Sequence, residues 1–304
     1  MKIATNFRCG ESGEMIGAFY FLRELTQTAY RIKGIGMGRV CEFIRRWASR
    51  HAPAEPLIIQ DFRGDGKFRC FLNEHMGSQI FFRGSYSGDQ LSILERILNT
   101  DSVFLDVGAN QGEFSIAAAR IVQQGKVIAF EPVSEWRNRL VENVKLNNFQ
   151  NVQVIPIALG EKEGEFPIYE SQKSFNDGTW HEGLSTLFAQ DSRHHVRGKV
   201  LVQKLDNILE ELSISRVDVI KLDIEGAEWI ALRGAAKTIA RDRPVLILEI
   251  GRDTCRAAGY EPEALIEWLT GLNYRIEKIT EKGETLLIIP DLLGDFQNVI
   301  AYPA

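Results

Sequence analysis

The chain has 304 residues, of which 44% are hydrophobic, 25% charged and 10% aromatic, a composition that excludes a largely disordered chain and a fibrous repeat. Its 36 Lys and Arg and 41 Asp and Glu give a net charge of −5, which disfavours a nucleic-acid partner because phosphates are neutralised by cations. The four cysteines form no CxxC pair and indicate neither a zinc cluster nor a disulfide framework. We see no secretory signal and no long apolar segment, so no membrane-spanning helix and a cytoplasmic location are expected.

Residues 1–84 are expected to form an extension ahead of the main domain. Apolar side chains at turn spacing predict helical structure over about residues 15–49, and Gly34, Gly36 and Gly38 divide it into two helices. The second helix is basic and amphipathic, as are helices that lie on a membrane or a partner, although a cap packed on the main domain is the more frequent arrangement. These helices are also a candidate surface for homo-oligomer formation.

A β-hairpin is predicted after these helices. Two short β-rich runs, at residues 57–62 and 68–72, flank the pair Asp65-Gly66. An Asp-Gly pair between apolar runs indicates a hairpin because the turn needs positive φ. A further strand at residues 79–82 and a helix at residues 89–98 lead into the main domain, which we place at residues 85–304.

Strands and helices alternate from residue 102 onward. Strands are predicted at residues 103–107, 126–130, 152–157, 217–222, 245–249, 274–279 and 298–302. Helices are predicted at residues 113–121, 135–146, 227–240 and 262–272. This alternation predicts an α/β fold with a doubly wound, mostly parallel seven-stranded sheet. Residues 164–199 interrupt it with a long polar segment, which we expect to form a lid or a substrate wall.

The loop after the first of these strands has the composition of a ligand-binding turn. Asp106 is followed by Gly108, Asn110 and Gly112, and glycine permits tight turns and close approach of a ligand to the backbone. The dinucleotide fingerprint needs glycine where Asn110 stands, so a nucleoside without phosphates is the better match. Glu131, at the tip of the next strand, is placed to accept hydrogen bonds from both ribose hydroxyls.

These residues carry a resemblance to a known family. The loop from Asp106 to Gly112, followed by Phe130-Glu131-Pro132, resembles the S-adenosyl-L-methionine site of class I methyltransferases. The chain resembles the FkbM family in particular through further motifs, which are Asn147-Asn148, Asn151-Val152, Ile157-Ala158-Leu159-Gly160, Leu205-Asp206, the run VIKLDIEGAE at residues 219–228 and the run NVIA at residues 298–301. The resemblance covers roughly residues 85–303.

The resemblance implies a Rossmann-like methyltransferase domain and a set of cofactor contacts. Asp106 and the loop from Gly108 to Gly112 would hold the methionine end of S-adenosyl-L-methionine, and Glu131 would hold the ribose. The complete implied cofactor set is Asp106, Gly108, Ala109, Asn110, Gly112, Glu131, Pro132, Ala158 and Leu159, with the last two against the adenine. The family is associated with methyl transfer to hydroxyls of sugars and natural products without a metal, so the expected partner is a small-molecule or glycan acceptor.

Methyl transfer to a hydroxyl also needs a group that accepts the hydroxyl proton. Asp223 and Glu225 are candidate catalytic residues, because neighbouring carboxylates and burial can raise a carboxyl pKa. His181 lies in the polar segment and has an intrinsic pKa of about 6.5, which is better matched to this task. Structural roles remain open for these residues. Asp223 and Glu225 could instead stabilise the N-terminus of the next helix, and His181 could be a solvated loop residue.

Two other functions are kept beside the O-methyltransferase hypothesis. A nicotinamide-dependent oxidoreductase shares this type of sheet but needs the glycine spacing that is missing here. A non-catalytic module that binds S-adenosyl-L-methionine would retain the same loop. Formation of demethylated cofactor only when an acceptor is present would distinguish the enzyme from the module. The sequence leaves the acceptor and its reacting atom open.

Overall fold

The structure is a computed structural model that describes residues 11–32, 37–170, 185–189, 195–288 and 293–304. Within these ranges the chain forms two compact units, one up to Tyr86 and one from Ser87 onward. In the same ranges no helix has the length and apolar character needed to cross a membrane.

The first unit contains two long helices, a hairpin and a shorter helix. Its elements are α1 (Glu11–Ile32), α2 (Met37–Arg50), β1 (Leu57–Phe62), β2 (Gly66–Cys70) and α3 (His75–Arg83). Arg23 joins α1 to α3 and β1, because its side chain donates to the carbonyl of Phe81 and pairs with Asp61 at 2.6 Å. The two predicted helices and the hairpin are confirmed.

The hairpin turn differs in detail from the prediction. Its positive φ angles occur at Arg63 (51°) and Gly64 (118°) and not at Asp65-Gly66. The register of the two strands shifts after Ile59, so that Phe62 pairs with Gly66. Gly66 therefore already belongs to β2, and the left-handed backbone lies two residues earlier.

The strand predicted at residues 79–82 is wrong, because these residues lie in α3. The side chains from Gln79 to Phe82 are all buried, and a short run that is apolar throughout does not distinguish a buried strand from a buried helix. Gly84 is the residue of the sequence that favours a helix over a strand here, because glycine often ends a helix. It ends α3 with a φ of 89°, and its N–H donates to the carbonyl of Ile80.

The second unit is an α/β domain. Its helices are α4 (Gly88–Ile97), α5 (Glu113–Ile121), α6 (Ser134–Leu146), α7 (Leu205–Glu211), α8 (Glu228–Arg233), α9 (Ala236–Asp242), α10 (Arg252–Ala257) and α11 (Pro262–Gly271). Its strands are β3 (Val103–Val107), β4 (Lys126–Phe130), β5 (Val152–Ile155), β6 (Ala158–Leu159), β7 (Gly164–Glu170), β8 (Ser185–Thr186), β9 (His195–Gln203), β10 (Val219–Leu222), β11 (Val245–Gly251), β12 (Tyr274–Ile279), β13 (Thr285–Leu287) and β14 (Phe296–Pro303).

The large sheet of this unit has the order β13-β12-β14-β11-β10-β3-β4-β5. Its pairs from β11 to β5 are parallel, whereas β14 is antiparallel to both β11 and β12. The doubly wound, mostly parallel fold is confirmed, but the described sheet has eight strands where seven were predicted. The additional strand is β13, whose Leu286 and Leu287 are exposed, so it has no buried apolar run to reveal it.

The order of this sheet determines where a ligand can bind. From β3 the chain proceeds outward through β4 to β5, and it later returns to the opposite side of β3 with β10. Ligands bind at the carboxyl ends of strands beside such a reversal. The loops that follow β3, β4 and β10 therefore define the candidate site.

A second sheet replaces much of the predicted irregular segment. Its order is β6-β9-β7-β8, and β7 pairs with β9 in antiparallel fashion with a shift between Ile168 and Tyr169. Most residues of β7 and β9 are partly or fully exposed. Their sequences therefore show little alternation of apolar and polar residues, and the strands were not predicted. Residues 171–184 and 190–194, where the lid was also expected, lie outside the described ranges.

The helix predicted at residues 227–240 is in fact two helices, α8 and α9. Gly234 stands between them, and a Cβ there would lie 2.2 Å from the carbonyl oxygen of Gly160. The interruption therefore allows the backbone to pass close to the loop that follows β6.

Gly77 of α3 offers a test of packing in the first unit. A Cβ at this position would lie 2.3 Å from the carbonyl oxygen of Phe71, whereas at Gly17 of α1 it would meet nothing within 4 Å. We expect Gly77→Ala to lower the free energy of unfolding by about 1–3 kcal/mol, and Gly17→Ala to raise it by up to about 1 kcal/mol. Urea unfolding measures both, and equal effects of the two substitutions would contradict the packing of α3.

Candidate functional site

The loop after β3 has a backbone that is left-handed at three positions. The φ angles are 75° at Gly108, 50° at Asn110 and 96° at Gly112, where α5 begins. A Cβ at position 108 would lie 2.1 Å from the carbonyl oxygen of Asp223. The sequence suggested that glycine is needed at position 108 for the approach of a ligand. The structure adds a second reason, because a side chain there would collide with the loop after β10.

Backbone N–H groups of this loop are already used within the protein. Those of Gly108 and Ala109 donate to the carbonyl of Phe130 at 3.1 and 3.0 Å, that of Asn110 to Glu131 Oε2 at 2.9 Å, and that of Gly112 to the carbonyl of Ala109 at 2.8 Å. A pyrophosphate is bound through free amides at such a turn. These four groups are not available for one, which disfavours a dinucleotide.

Glu131 follows β4 and is held in place by two backbone donors. Its Oε2 accepts from Asn110 N, and its Oε1 accepts from Val133 N, both at 2.9 Å. Burial raises the pKa of Glu131 to about 7, although the two hydrogen bonds lower it. Each carboxylate oxygen retains a lone pair, so Glu131 can still accept from two further hydroxyls.

Asp106 and Lys221 form a buried ion pair between β3 and β10. Lys221 Nζ lies 3.6 Å from Asp106 Oδ1, and the two side chains are 3% and 0% exposed. Ser115 Oγ donates to the other oxygen of Asp106 at 2.6 Å. Burial raises the pKa of Asp106, and the charge of Lys221 opposes that shift.

Lys221 connects three parts of the site. Its Nζ also donates to the carbonyl of Gly108 at 3.1 Å and lies 3.6 Å from Asp223 Oδ2. Burial lowers the pKa of this lysine, but Asp223, Asp106 and Glu249 outweigh burial, so the pKa is raised overall. Lys221 is therefore a firmly charged cation among carboxylates.

Three carboxylates come together beside Lys221. One oxygen each from Asp223, Glu225 and Glu249 lies within 4.8 Å of the other two. Burial, followed by repulsion from neighbouring carboxylates, raises the pKa of Glu249 well above its usual range. Glu249 therefore holds its proton more tightly than an ordinary carboxyl group. The hard oxygen donors of the three residues also match those that hold Mg²⁺ or Ca²⁺.

Glu228 and Tyr260 support the loop that carries this cluster. Glu228 Oε1 accepts from the N–H groups of Ile224 and Gly226 at 3.0 and 3.2 Å, and Tyr260 OH donates to the carbonyl of Gly226 at 3.0 Å. Burial raises the pKa of Glu228 to about 7. Glu225, between the two N–H groups, has a φ of 56°, so these contacts stabilise an unfavourable backbone.

An apolar cavity opens beside the loop after β3. It is lined by Val107, Gly108, Phe130, Pro132, Ile157, Ala158, Leu159, Ile168, Ser185, Leu187, Ile224 and Ala227. Gly108, Pro132, Ala158 and Leu159 were expected to contact the cofactor, and the structure brings them to one cavity. A cavity with apolar walls beside polar groups is the usual form of a small-molecule site.

Residues 106–276 match the family described as Methyltransferase FkbM domain. The match covers more than half of the chain and includes the loop after β3, Glu131, Lys221 and the three clustered carboxylates. The chain belongs to the FkbM methyltransferase family. The family resemblance inferred from the motifs is thereby confirmed.

The chain is similar to two curated proteins and to one solved structure. The chain is 28% identical to Methyltransferase 1 of Beauveria bassiana over 145 residues, 44% of this chain and 58% of that protein. It is 24% identical to 2-O-methyltransferase NoeI of Sinorhizobium fredii over 162 residues, 50% of this chain and 64% of that protein. It is also similar to the crystal structure of Methyltransferase FkbM from Methylobacillus flagellatus KT, with a TM-score of 0.46, 17% identity and coverage of 67% of this chain and 44% of that one. The chain thus spans less than two thirds of each relative.

Sequence reasoning on this FkbM-family chain missed several site residues. Lys221 and Glu228 belong to the run VIKLDIEGAE at residues 219–228, but the sequence predicted no role for either. It predicted no role for Glu249 either. An acid at the end of the buried run Val245–Gly251 is the signal that could have identified Glu249, since this strand ends at the ligand-binding edge. His181 lies outside the described residues.

Two buried glutamates predict how stability changes with pH. Glu131 and Glu228 each have a pKa raised from 4.5 to about 7. Since the folded state holds these protons more tightly, the two groups contribute most stability below the unfolded pKa, and this contribution is lost as pH rises through 7. We expect Glu228→Gln to flatten this decline, as followed by urea unfolding from pH 5 to pH 8. The surface control Glu210→Gln should keep the wild-type slope; an equally steep slope in Glu228→Gln would contradict the shifted pKa.

Proposed function

We propose that this chain is an S-adenosyl-L-methionine-dependent O-methyltransferase that acts on a hydroxyl of a sugar, glycan or natural product. The observation that carries the proposal is the composition of the site beside β3, which joins hydrogen-bond acceptors, carboxylates and an apolar cavity while its loop amides are already occupied. Membership of the FkbM methyltransferase family supports it. The relative NoeI, whose name describes a 2-O-methyltransferase, supports a hydroxyl as the acceptor.

The residues present fit this cofactor. Among the described residues, Asn110 Oδ1 is buried without a hydrogen-bond partner, and Asp106 Oδ1 has only the ion-pair contact with Lys221 at 3.6 Å. Glu131 keeps acceptor capacity on both oxygens. S-adenosyl-L-methionine offers an ammonium group, a ribose diol and a positively charged sulfonium, all of which match acceptors and carboxylates. A nicotinamide dinucleotide would instead bring phosphates to an acid-rich loop, and this makes the oxidoreductase the weaker hypothesis.

Each part of the cofactor has a proposed binding partner. Asp106 and Asn110 would accept from the ammonium group, and Glu131 would accept from the ribose diol. Pro132, Ala158 and Leu159, on the wall of the apolar cavity, would contact the adenine. The small side chain of Ala158 leaves room for a planar ring.

The three clustered carboxylates are the proposed proton acceptors. The bound cofactor supplies an electrophilic methyl group attached to a sulfonium. Asp223, Glu225 and Glu249 would hold the acceptor hydroxyl in line with that methyl group. The cluster would take the hydroxyl proton as the new carbon–oxygen bond forms and the carbon–sulfur bond breaks, which leaves the demethylated thioether. A raised carboxyl pKa makes such a base effective near neutral pH. Lys221 fixes the position of Asp223 throughout.

Cofactor binding provides the first test, through Glu131. We expect calorimetric titration to show binding of S-adenosyl-L-methionine and none of NAD. Because Glu131 must be ionised to accept from both hydroxyls, affinity should be about tenfold weaker at pH 6 than at pH 8. Glu131→Gln should weaken binding and remove this pH dependence, whereas Glu165→Gln, on the surface of β7, should change neither. Binding of NAD, or an unchanged Glu131→Gln, would contradict the assignment.

Turnover provides the second test, through the carboxylate cluster. With methyl-labelled cofactor and a panel of sugars, glycans and hydroxylated natural products, Glu249→Gln and Asp223→Asn should lower kcat by at least about 100-fold. Cofactor affinity should stay near that of the wild type, and Glu210→Gln should retain full activity. Normal turnover of both cluster variants would remove the cluster from the mechanism. Activity that is lost on chelation and restored by Mg²⁺ would assign the carboxylates to a cation instead, and cofactor binding without transfer to any acceptor would favour the non-catalytic module.

A further inference from the structure

Helix α2 of the first unit exposes three of its large apolar side chains. Val40, Phe43 and Trp47 are 52%, 69% and 44% exposed, and at 3.6 residues per turn they fall on one stripe of the helix. The buried side chains of the same helix are small or polar, namely Cys41, Arg45, Ala48 and Ser49. This arrangement is the reverse of a helix that caps a core.

Buried contacts prevent the helix from rotating to hide this stripe. Arg45 is 1% exposed, and its guanidinium donates to Ser78 Oγ at 2.8 Å and pairs with Glu42 at 2.5 Å. Turning Phe43 inward would bring the buried Arg45 toward solvent and break its contact with Ser78, which lies on α3. The outward orientation of the apolar stripe is therefore stabilised by the fold.

A row of arginines runs along one side of the stripe. Arg39, Arg46 and Arg50 are exposed and lie within about 40° of one another around the helix. Glu42 pairs with Arg46 at 3.0 Å, whereas Arg39 and Arg50 form no ion pair within the described ranges. The row is a local excess of positive charge on a chain whose net charge is −5.

We propose that this face of α2, formed by Val40, Phe43 and Trp47 with Arg39, Arg46 and Arg50, binds the surface of a membrane that contains anionic lipids. Aromatic side chains beside arginines are typical of helices that lie in the lipid interface, where each arginine gains from the negative surface potential. Three partly exposed side chains cover far less than the ~800 Å² that each partner contributes to a stable protein interface. A lipid surface requires no such complementary area. The inference concerns a surface outside the candidate active site and does not depend on the proposed function.

Vesicle sedimentation with the full chain tests the proposal. The protein should sediment with vesicles of phosphatidylcholine that contain about 30% phosphatidylglycerol, and not with phosphatidylcholine alone. Raising the salt from about 0.05 to about 0.5 M should weaken the binding, because the Debye length shortens. Arg39→Gln/Arg50→Gln should weaken it about 30-fold, and Val40→Ser/Phe43→Ser at least about tenfold.

Matched variants from the second unit serve as controls. Leu286→Ser/Leu287→Ser removes two side chains that are 60% and 68% exposed, and Lys237→Gln/Lys282→Gln removes two exposed charges; both should bind like the wild type. Absence of sedimentation with anionic vesicles, or equal loss in the control pairs, would overturn the proposal. So would concentration-dependent self-association that Val40→Ser/Phe43→Ser abolishes without any lipid binding, since the face would then join two copies of the chain.

Discussion

The buried charge of Lys221 is the constraint on which the site depends. A charge removed from water costs several kcal/mol unless ion pairs and hydrogen bonds compensate it. Here Asp106, Asp223 and the carbonyl of Gly108 surround the ammonium group, and the ring of Phe114 lies 4.9 Å from it. The loops after β3 and β10 are thus fixed relative to each other by one cation. The absence of a side chain at Gly108 allows them to approach closely enough for this contact.

The same arrangement gives the two ends of the site different properties. Beside β3 and β4, the acceptors that include Glu131 have nearby positive charge or backbone donors, which suits a ligand that supplies hydrogen bonds and a cation. Beyond Lys221, Glu249 stands with Asp223 and Glu225, and burial together with repulsion between these carboxylates raises the pKa of Glu249. One lysine cannot neutralise all of these groups, so the excess negative charge remains where a hydroxyl would have to lose its proton.

The sequence predicted those features that depend on local patterns. The strand-loop-helix around Asp106 to Glu113 combines a buried run, positive-φ residues and a helix start, and all three signals lie within a few residues. The roles of Glu249 and Lys221 were not predicted because they arise only when β11, β10 and β3 pair. The partners are 26 positions apart between β10 and β11 (Val219 and Val245) and 115 apart between β10 and β3 (Val219 and Phe104). The prediction of a strand at residues 79–82 was wrong because a run that is buried on every side has no periodicity that separates a strand from a helix. The short strand β13 was not predicted because its residues are exposed and form no buried apolar run.

The most direct test of the central claim is calorimetric titration of the Lys221→Met/Asp106→Asn double variant with S-adenosyl-L-methionine. This variant removes both members of the buried ion pair. Asp223 also loses its contact with Lys221, but its side chain is 33% exposed to solvent, so the variant is expected to fold. If the pair organises the cofactor site, affinity should fall at least about tenfold relative to the wild type, since two or more charge-assisted contacts are lost. Wild-type affinity in the folded double variant would show that the loop after β3 binds the cofactor without this pair, and would contradict the account.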